Sequence, residues 1–266
     1  MTDPFQNVDA AGPEFIHVFA NAMEVRQSEP AMETIVARYL DKLAFSEGSL
    51  TVEVGSGAGA IARRIADRAA PGAVIGFEPS KGFVEEARIR AEGVENLSFE
   101  VADGAALPLP DDAADAVVMH TVLSHVDKPD TLIGEACRVL RSGGRLVICD
   151  ADFSKSTLSS FANDPLDICA REFTSHFVTD AYLVGKLRQL IADAGLILED
   201  FTHETRVSST REGMRPWVDR VTSLMVERGD IGQPLADAFV AEFERRADNG
   251  TLYGYQVFAT AIALKP

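Results

Sequence analysis

The chain has 266 residues, enough for one large α/β domain with a substantial core. It carries 41 acidic against 25 basic side chains, and the formal net charge of -16 argues against a nucleic-acid partner because a polyanion would be repelled over most of the surface. No stretch approaches the roughly 18 apolar residues of a membrane span, and the acidic N-terminus lacks the basic and apolar regions of a signal peptide, so we expect a soluble, cytoplasmic protein without a membrane partner. The three cysteines have no metal-type spacing, and we predict no metal site.

Residues 1–47 are predicted to form a helical cap. Up to residue 27 the apolar side chains follow no clean period, but they are too numerous for a free tail. From 29 to 46 they recur at helical spacing, which predicts an amphipathic helix packed ahead of the first strand.

Residues 48–150 alternate short apolar strands with amphipathic helices. Strands are predicted at 49–54, 73–77, 97–101, 114–119 and 145–149, with helices at 59–70, from 83 to 93, and from 130 to 142–144. This alternation is typical of a parallel sheet covered on both faces, whose ligands bind beyond the carboxyl ends of the strands. The polar residues at those ends should therefore converge on one crevice: Gly55-Ser56-Gly57, Glu78, Asp103, His120 and Asp150.

The regular pattern breaks after Asp150. Residues 151–178 are rich in phenylalanine without a clear period, and we predict helical, lid-forming insertions on the substrate side over 151–180 and 208–250. The remaining elements are a helix at 180–194, a strand at 196–207, helices at 212–228 and 234–247, and a final strand at 252–264 that suits a place near the 196–207 strand inside the sheet.

A glycine-rich turn, Gly55-Ser56-Gly57-Ala58-Gly59, joins the first strand to its helix. Glycines allow positive φ and a close approach of a ligand to the backbone, while N–H groups at the helix start point toward that ligand. Glu53 could accept hydrogen bonds from the loop amides or from a ligand ammonium group, whereas a loop that receives a pyrophosphate has little use for that carboxylate. The turn predicts a site for a small polar or anionic group.

Two further acidic residues suit nucleoside recognition. Glu78 follows the second strand, nineteen residues after Gly59, where a carboxylate can accept hydrogen bonds from both ribose hydroxyls. Asp103 closes the third strand and can accept from an adenine amino group, although Asp-Gly is also a common turn. Asp103 can form the turn and also accept a hydrogen bond from adenine.

Four motifs, taken in order, resemble the class I S-adenosylmethionine-dependent methyltransferases, in particular the small-molecule branch related to the quinone methyltransferases. They are Val52 to Gly59, Glu78, Ala102 to Pro108 with Asp115 to Val118, and Leu140 to Val147, and the resemblance covers about 30–150. It implies a Rossmann-like, doubly wound, seven-stranded, mostly parallel sheet with a reversed last strand, within a single domain over 1–266. It also implies S-adenosylmethionine as cofactor, with these binding residues: Glu53, Gly55, Ser56, Gly57, Gly59, Glu78, Pro79, Phe83, Asp103, Gly104 and, through its backbone, His120.

Two alternatives stay open. Gly55-x-Gly57-x-x-Ala60 fits a relaxed dinucleotide fingerprint, and Tyr182 with Lys186 matches the Tyr-x-x-x-Lys of NAD(P)-dependent short-chain dehydrogenases. Two features argue against a short-chain dehydrogenase. Glu53 lies beneath the loop, and the wider glycine spacing of those enzymes is absent. The second alternative is a protein that binds the cofactor without transferring methyl.

The implied reaction is direct, in-line transfer of methyl to a small, apolar or aromatic metabolite. An oxygen or nitrogen acceptor needs a base, and histidine suits that task because its pKa lies near neutrality. His176 in the first insertion and His125 beyond the fourth strand are the predicted bases, while a carbon acceptor can dispense with both. The acceptor atom, the pathway and the oligomeric state are not determined by these patterns.

Overall fold

The predicted strands pair into one sheet in the computed structural model, which describes residues 3–266. They are β1 (Leu50–Val54), β2 (Ala73–Glu78), β3 (Leu97–Val101), β4 (Ala114–His120), β5 (Leu140–Thr157), β6 (Ile197–Ser208) and β7 (Gly254–Leu264). Within residues 3–266 the seven strands lie in the order β3-β2-β1-β4-β5-β7-β6. All neighbours are parallel except β7, which is antiparallel to β5 and β6. The predicted sheet with a reversed last strand is confirmed.

Helices cover both faces of the sheet. They are α1 (Pro13–Gln27), α2 (Pro30–Leu40), α3 (Ala60–Ala69), α4 (Lys81–Arg90), α5 (Pro129–Val139), α6 (Asp167–Phe177), α7 (Leu183–Asp193), α8 (Arg211–Glu227) and α9 (Gln233–Asp248), with short 3-10 helices at Pro4–Ala11 and Leu123–His125. One core packs α2, α3, α6, α8 and α9 on one face of the sheet, and a second packs α5 and α7 on the opposite face. Two smaller clusters contain apolar residues of α1 and α4. Across residues 3–266 we find no helix long and apolar enough to cross a bilayer.

Strand alternation decides which way the polar residues of β1 and β4 point. Val54 and Met119 lie in the core that contains α5. Glu53 and His120, one position away, face the other side of the sheet, where Ala62 of α3 donates its backbone N–H to Glu53 and Tyr39 of α2 contacts His120. Two predicted cofactor residues therefore point beneath α2 and α3.

The largest departure from the predicted elements concerns β5. The strand begins at Leu140, where the predicted helix should continue, and runs to Thr157, inside the predicted insertion 151–180. Pairing with β7 continues through Asp150 and Asp152, which interrupt the apolar run on which the strand prediction rested. Because Ser124 donates to the Asp150 carboxylate, a polar residue is satisfied inside the sheet and does not end it.

The N-terminal cap contains a helix that the sequence pattern does not show. α1 contacts α3, α4 and α8 as well as the 3-10 helix before it, so its apolar side chains point in several directions. A helix that packs on several neighbours at once lacks the single apolar stripe that makes a helix recognisable from its sequence. This explains why residues 13–27 show no clean period.

A buried ion pair fastens α9 to the segment before α6, and its removal should destabilise the fold. Arg246 donates from Nη1 and Nη2 to Asp164 at 2.6 and 2.9 Å, and the two side chains are 4% and 0% exposed. Asp164→Ala leaves the two buried terminal nitrogens of Arg246 without their carboxylate and only Glu242, 2.7 Å from Nε, as an acidic partner, so we expect a loss of about 3 kcal/mol in the free energy of unfolding, measured by urea denaturation. Arg245→Ala is the matched control, since the neighbouring arginine makes an exposed pair with Glu242 and should change stability little. Equal effects of both changes would contradict this role for the pair.

Candidate active site

A cavity of about 640 Å³ lies at the carboxyl ends of β1 and β4. These two strands flank the point where the chain order reverses, with β2 and β3 on one side and β5 on the other. Open α/β sheets bind ligands at such a switch point. The lining comes from the glycine turn, the ends of β2, β3 and β4, the N-terminal cap, and helices α6 and α8.

The glycine turn has a conformation that only glycine adopts easily. Gly55, Gly57 and Gly59 have φ of +70°, +51° and +79°. A Cβ on Gly55 would lie 2.7 Å from Val122, and one on Gly59 would lie 2.6 Å from the ring of Phe99. Gly55 and Gly57 line the cavity, so a ligand can reach their backbone, whereas Gly59 serves close packing behind it.

Glu78, the last residue of β2, lines the cavity. Its Oε2 accepts from the Gly57 N–H and its Oε1 from the Ser80 N–H, both at 3.0 Å. Burial is the main cause that raises its pKa to about 7, against the lowering effect of the two backbone hydrogen bonds. Each oxygen keeps capacity for a further donor, so the carboxylate can receive a pair of hydroxyl groups.

Four other predicted residues also line the cavity: Pro79, Phe83, Asp103 and Gly104. Asp103 accepts from the Ala105 N–H at 2.9 Å, so it forms the turn that Asp-Gly predicts and still borders the cavity. At Gly104, a Cβ would lie 2.6 Å from Val54, which leaves room there only for glycine. Apolar side chains together with the two carboxylates of Glu78 and Asp103 suit a flat ring system that carries polar groups.

Glu53 and Ser56, predicted as cofactor residues, do not line the cavity. Burial, then the proximity of Glu78, raises the pKa of Glu53 well above its usual range. The structure does not place the Glu53 carboxyl where it would contact a ligand in this cavity, and its predicted contact with an ammonium group stays a prediction. Within the described residues, Glu53 Oε2 and Ser56 Oγ have no hydrogen-bond partner.

His120 likewise turns its side chain away from the cavity. Its Nε2 contacts the Gln27 amide at 3.0 Å and its Nδ1 contacts the Tyr39 hydroxyl at 3.2 Å. Burial, followed by repulsion from Arg26 and Arg64, lowers the pKa of His120 well below its usual range. The imidazole is neutral and engaged on both nitrogens, so its side chain has no part in the cavity.

His125 is the predicted base that the structure places in the cavity wall. Its Nδ1 donates to Asp3 Oδ2 at 2.8 Å, and the Asp3 side chain is buried. Thr179 also donates to that oxygen, and the Phe5 N–H donates to the other. A carboxylate that accepts from Nδ1 selects the tautomer in which Nε2 can accept a proton. Within residues 3–266, Nε2 of His125 has no hydrogen-bond partner.

Asp150 stabilises the 3-10 helix that contains His125. Its carboxylate accepts from the Ser124 hydroxyl at 2.8 Å and from the Ser124 N–H at 3.2 Å, one residue before His125. The sequence predicts that Asp150 joins the crevice, but it does not line the cavity. It holds the 3-10 turn that presents His125.

His176, the other predicted base, lies outside the cavity lining. Its Nδ1 donates to the Glu172 carbonyl at 3.0 Å, and Arg228 Nη1 donates to its Nε2. With both ring nitrogens occupied, His176 cannot take a proton from a bound acceptor without breaking this network. The placement argues against His176 as the base.

Aromatic rings form another part of the cavity lining. Phe153 and Phe173 come from the predicted insertion, and Phe5 comes from the N-terminal cap, as the phenylalanine-rich pattern suggests. Trp217 stacks on Phe173 with ring centroids 4.5 Å apart and planes 6° apart. The sequence pattern does not show Trp217, because a lone tryptophan in an amphipathic helix looks like an ordinary core residue.

Tyr182 and Lys186, the pair that would mark a short-chain dehydrogenase, are also away from the cavity. Tyr182 is 68% exposed, and Lys186 pairs with Asp180 at 2.7 Å on the surface. A catalytic Tyr-Lys pair has to reach the reacting atoms, and this one does not.

Comparisons with known proteins agree with this geometry. The family described as a methyltransferase domain matches residues 52–148. An uncharacterised 37.1 kDa protein of a Streptomyces fradiae transposon is 34% identical over 157 residues, which are 59% of this chain and 46% of that protein. A demethylmenaquinone methyltransferase of Tropheryma whipplei is 28% identical over 169 residues, 58% of this chain and 68% of the relative. The matches thus span from under half to about two thirds of these relatives.

A solved structure extends the likeness over nearly the whole fold. Phosphoethanolamine N-methyltransferase 2 of Haemonchus contortus, in complex with S-adenosyl-L-methionine, superposes with a TM-score of 0.60 at 14% identity. The alignment covers 98% of this chain and 59% of that one. At this identity the likeness concerns the fold.

Proposed function

Because this chain belongs to the class I S-adenosylmethionine-dependent methyltransferases and resembles the quinone methyltransferases, we propose that it transfers methyl from S-adenosylmethionine directly to a small, apolar or aromatic acceptor. The observation that carries this proposal is one cavity that is lined both by Glu78 and the glycine turn and by the aromatic residues Phe153, Phe173 and Trp217. His125 lines the same cavity.

The residues around Glu78 and the glycine turn fit the cofactor. The buried Glu78 carboxylate has capacity for two ribose hydroxyls, and Pro79 and Phe83 provide apolar surfaces for the adenosine. Gly55 and Gly57 leave backbone exposed at the turn, where the methionine end would lie. When bound, S-adenosylmethionine supplies a methyl group already made electrophilic by its sulfonium.

The protein's contribution to the reaction is then alignment, exclusion of water and removal of a proton. The aromatic wall of Phe153, Phe173 and Trp217 would orient an apolar acceptor. Phe5 shields the wall from the N-terminal side, packing against His125 with centroids 4.8 Å apart. His125, held by Asp3, would take the proton of an oxygen or nitrogen acceptor at Nε2.

The N-terminal cap is fastened over this site. Asp9 accepts from the Ser80 hydroxyl at 2.7 Å and from the backbone N–H groups of Lys81 and Gly82 at 2.9 and 3.1 Å. Together with the Asp3–His125 contact, this joins the cap to both the nucleoside end and the proposed base. The cap would thus close the site while holding the base in place.

Calorimetric titration with S-adenosylmethionine, S-adenosylhomocysteine and NAD in parallel tests the proposal. We expect micromolar binding of the first two and none of NAD. Incubation with methyl-labelled S-adenosylmethionine and a panel of aromatic and apolar acceptors then tests transfer. Binding of NAD alone would overturn the proposal, and cofactor binding without transfer to any acceptor would favour the alternative of a protein that binds without methylating.

A further inference from the structure

Arg26 is a cavity-lining cation whose charge the protein does not neutralise. It lies near the end of α1 and borders the cavity. Its Nη2 donates to the Thr121 hydroxyl at 3.0 Å. Within residues 3–266 no carboxylate lies within ion-pair distance of the guanidinium, and its buried Nε has no hydrogen-bond partner.

Arg206, the other buried arginine of this cavity, shows the contrast. Its Nε and Nη2 each donate to a Glu29 carboxylate oxygen at 2.6 Å, and Nη1 donates to Gln256. Its charge is compensated and its donors are used. Arg206 therefore adds no unsatisfied cation to the cavity, but it does repel Arg26.

The Arg26 side chain nevertheless stays charged at neutral pH. Burial, then repulsion from Arg206, lowers its pKa to about 10, still well above 7. Asp150 and Glu29 both raise that pKa, but Asp150 already accepts from Ser124 and the Ala151 N–H, and Glu29 accepts from Arg206. A partly buried charge without a counter-ion is costly, so a ligand anion is the partner that this position lacks.

The backbone beside Arg26 is strained in a way that keeps its contact in place. Thr121 has φ of +54°, a region that β-branched residues rarely adopt. Its hydroxyl donates to the His120 carbonyl at 2.7 Å and so turns a lone pair toward Arg26. Strained residues of this kind gather at binding sites, where the surrounding structure holds them.

We propose that Arg26 forms a carboxylate-binding site within the cavity. A guanidinium edge matches the two oxygens of a carboxylate, and one uncompensated positive charge matches one negative charge. The carboxylate can come from the methionine end of the cofactor or from the methyl acceptor. The inference rests on the proposed function, because both sources are ligands of that reaction.

The two sources are separated by titrating wild type and Arg26→Gln with three probes. S-adenosylhomocysteine carries the amino-acid carboxylate, 5′-methylthioadenosine lacks it, and benzoate, added with saturating S-adenosylhomocysteine, stands for an acceptor carboxylate. If the cofactor supplies the group, the variant binds S-adenosylhomocysteine about 10- to 100-fold more weakly and 5′-methylthioadenosine unchanged. If the acceptor supplies it, S-adenosylhomocysteine binding is unchanged and benzoate binding is lost.

Unchanged affinity for all three probes would overturn the proposal, as would an equal loss for S-adenosylhomocysteine and 5′-methylthioadenosine, which indicates a structural role. Arg38→Gln, which removes the same charge from an exposed pair with Glu204, is the control for long-range electrostatics. Should Arg26→Gln not fold, Arg26→Lys is titrated with the same three probes. Because lysine keeps the charge and loses the bidentate edge, we expect the same pattern of weakened binding. If wild type binds neither nucleoside, the proposed function fails, and benzoate alone on wild type and variant still tests Arg26.

Discussion

Replacing Glu78 by alanine is expected to weaken the binding of S-adenosylmethionine and S-adenosylhomocysteine by about 100-fold or more. Two hydroxyl donors to a buried carboxylate contribute roughly 1.5 to 3 kcal/mol each, and the alanine variant loses both. Calorimetry on the purified variant measures the loss, with circular dichroism to check folding.

Glu53→Gln is the matched control for Glu78. Glu53 is a buried glutamic acid on the neighbouring strand and does not line the cavity, so an amide of the same shape should leave cofactor affinity nearly unchanged. A folded Glu78→Ala protein that binds as tightly as wild type would remove Glu78 from the nucleoside site.

The same carboxylate predicts a pH dependence of binding. With its pKa raised to about 7 in the free protein, Glu78 is largely protonated below pH 7. Hydrogen bonds from ribose hydroxyls favour the ionised form, so binding must release a proton there. Affinity for S-adenosylhomocysteine should be full above pH 7 and fall up to about tenfold per unit as the pH drops below it. A flat profile between pH 5 and 8 would contradict this role.

His125→Asn is expected to slow methyl transfer to an oxygen or nitrogen acceptor by about 100- to 10,000-fold, which is the usual contribution of a general base. The asparagine keeps a polar group of similar reach and cannot hold the proton at neutral pH. The loss should appear in kcat, while the Kd for S-adenosylhomocysteine stays within about twofold. Single-turnover rates and calorimetry on the same preparation separate the two quantities.

His176→Asn is the control for His125, since His176 lies outside the cavity lining and should leave the rate unchanged. Asp3→Asn should slow the reaction by a smaller factor, because it removes only the carboxylate that orients His125. A full rate in His125→Asn with an oxygen acceptor, or loss of cofactor binding, would exclude His125 as the base.

The sheet could be predicted because its information is local. Each strand is a short apolar run bounded by glycine, proline or a charged residue, and each helix repeats its apolar face. The predicted bounds of β1, β2, β3 and β4 therefore agree with the structure within a residue or two. β5 is the exception. Its length depends on pairing with β7, about a hundred residues away, and on the Ser124 hydroxyl that satisfies Asp150.

The part of the cavity around the glycine turn was predictable for a similar reason. In a parallel sheet, the carboxyl ends of neighbouring strands meet at one edge, so the residues after β1, β2 and β3 must lie together. Gly55, Gly57, Glu78 and Asp103 all line the cavity. Position along the strand was sufficient for these four.

Side-chain direction and long-range contacts were decided only by the tertiary structure. Glu53 and His120 stand at strand ends but alternate onto the face covered by α2 and α3, where burial raises the pKa of Glu53 and lowers that of His120. His125 gains its orienting carboxylate from Asp3, 122 residues earlier, and Arg26 meets Thr121 across 95 residues. No local pattern records such pairs, because they exist only once the N-terminal cap has packed over the completed sheet.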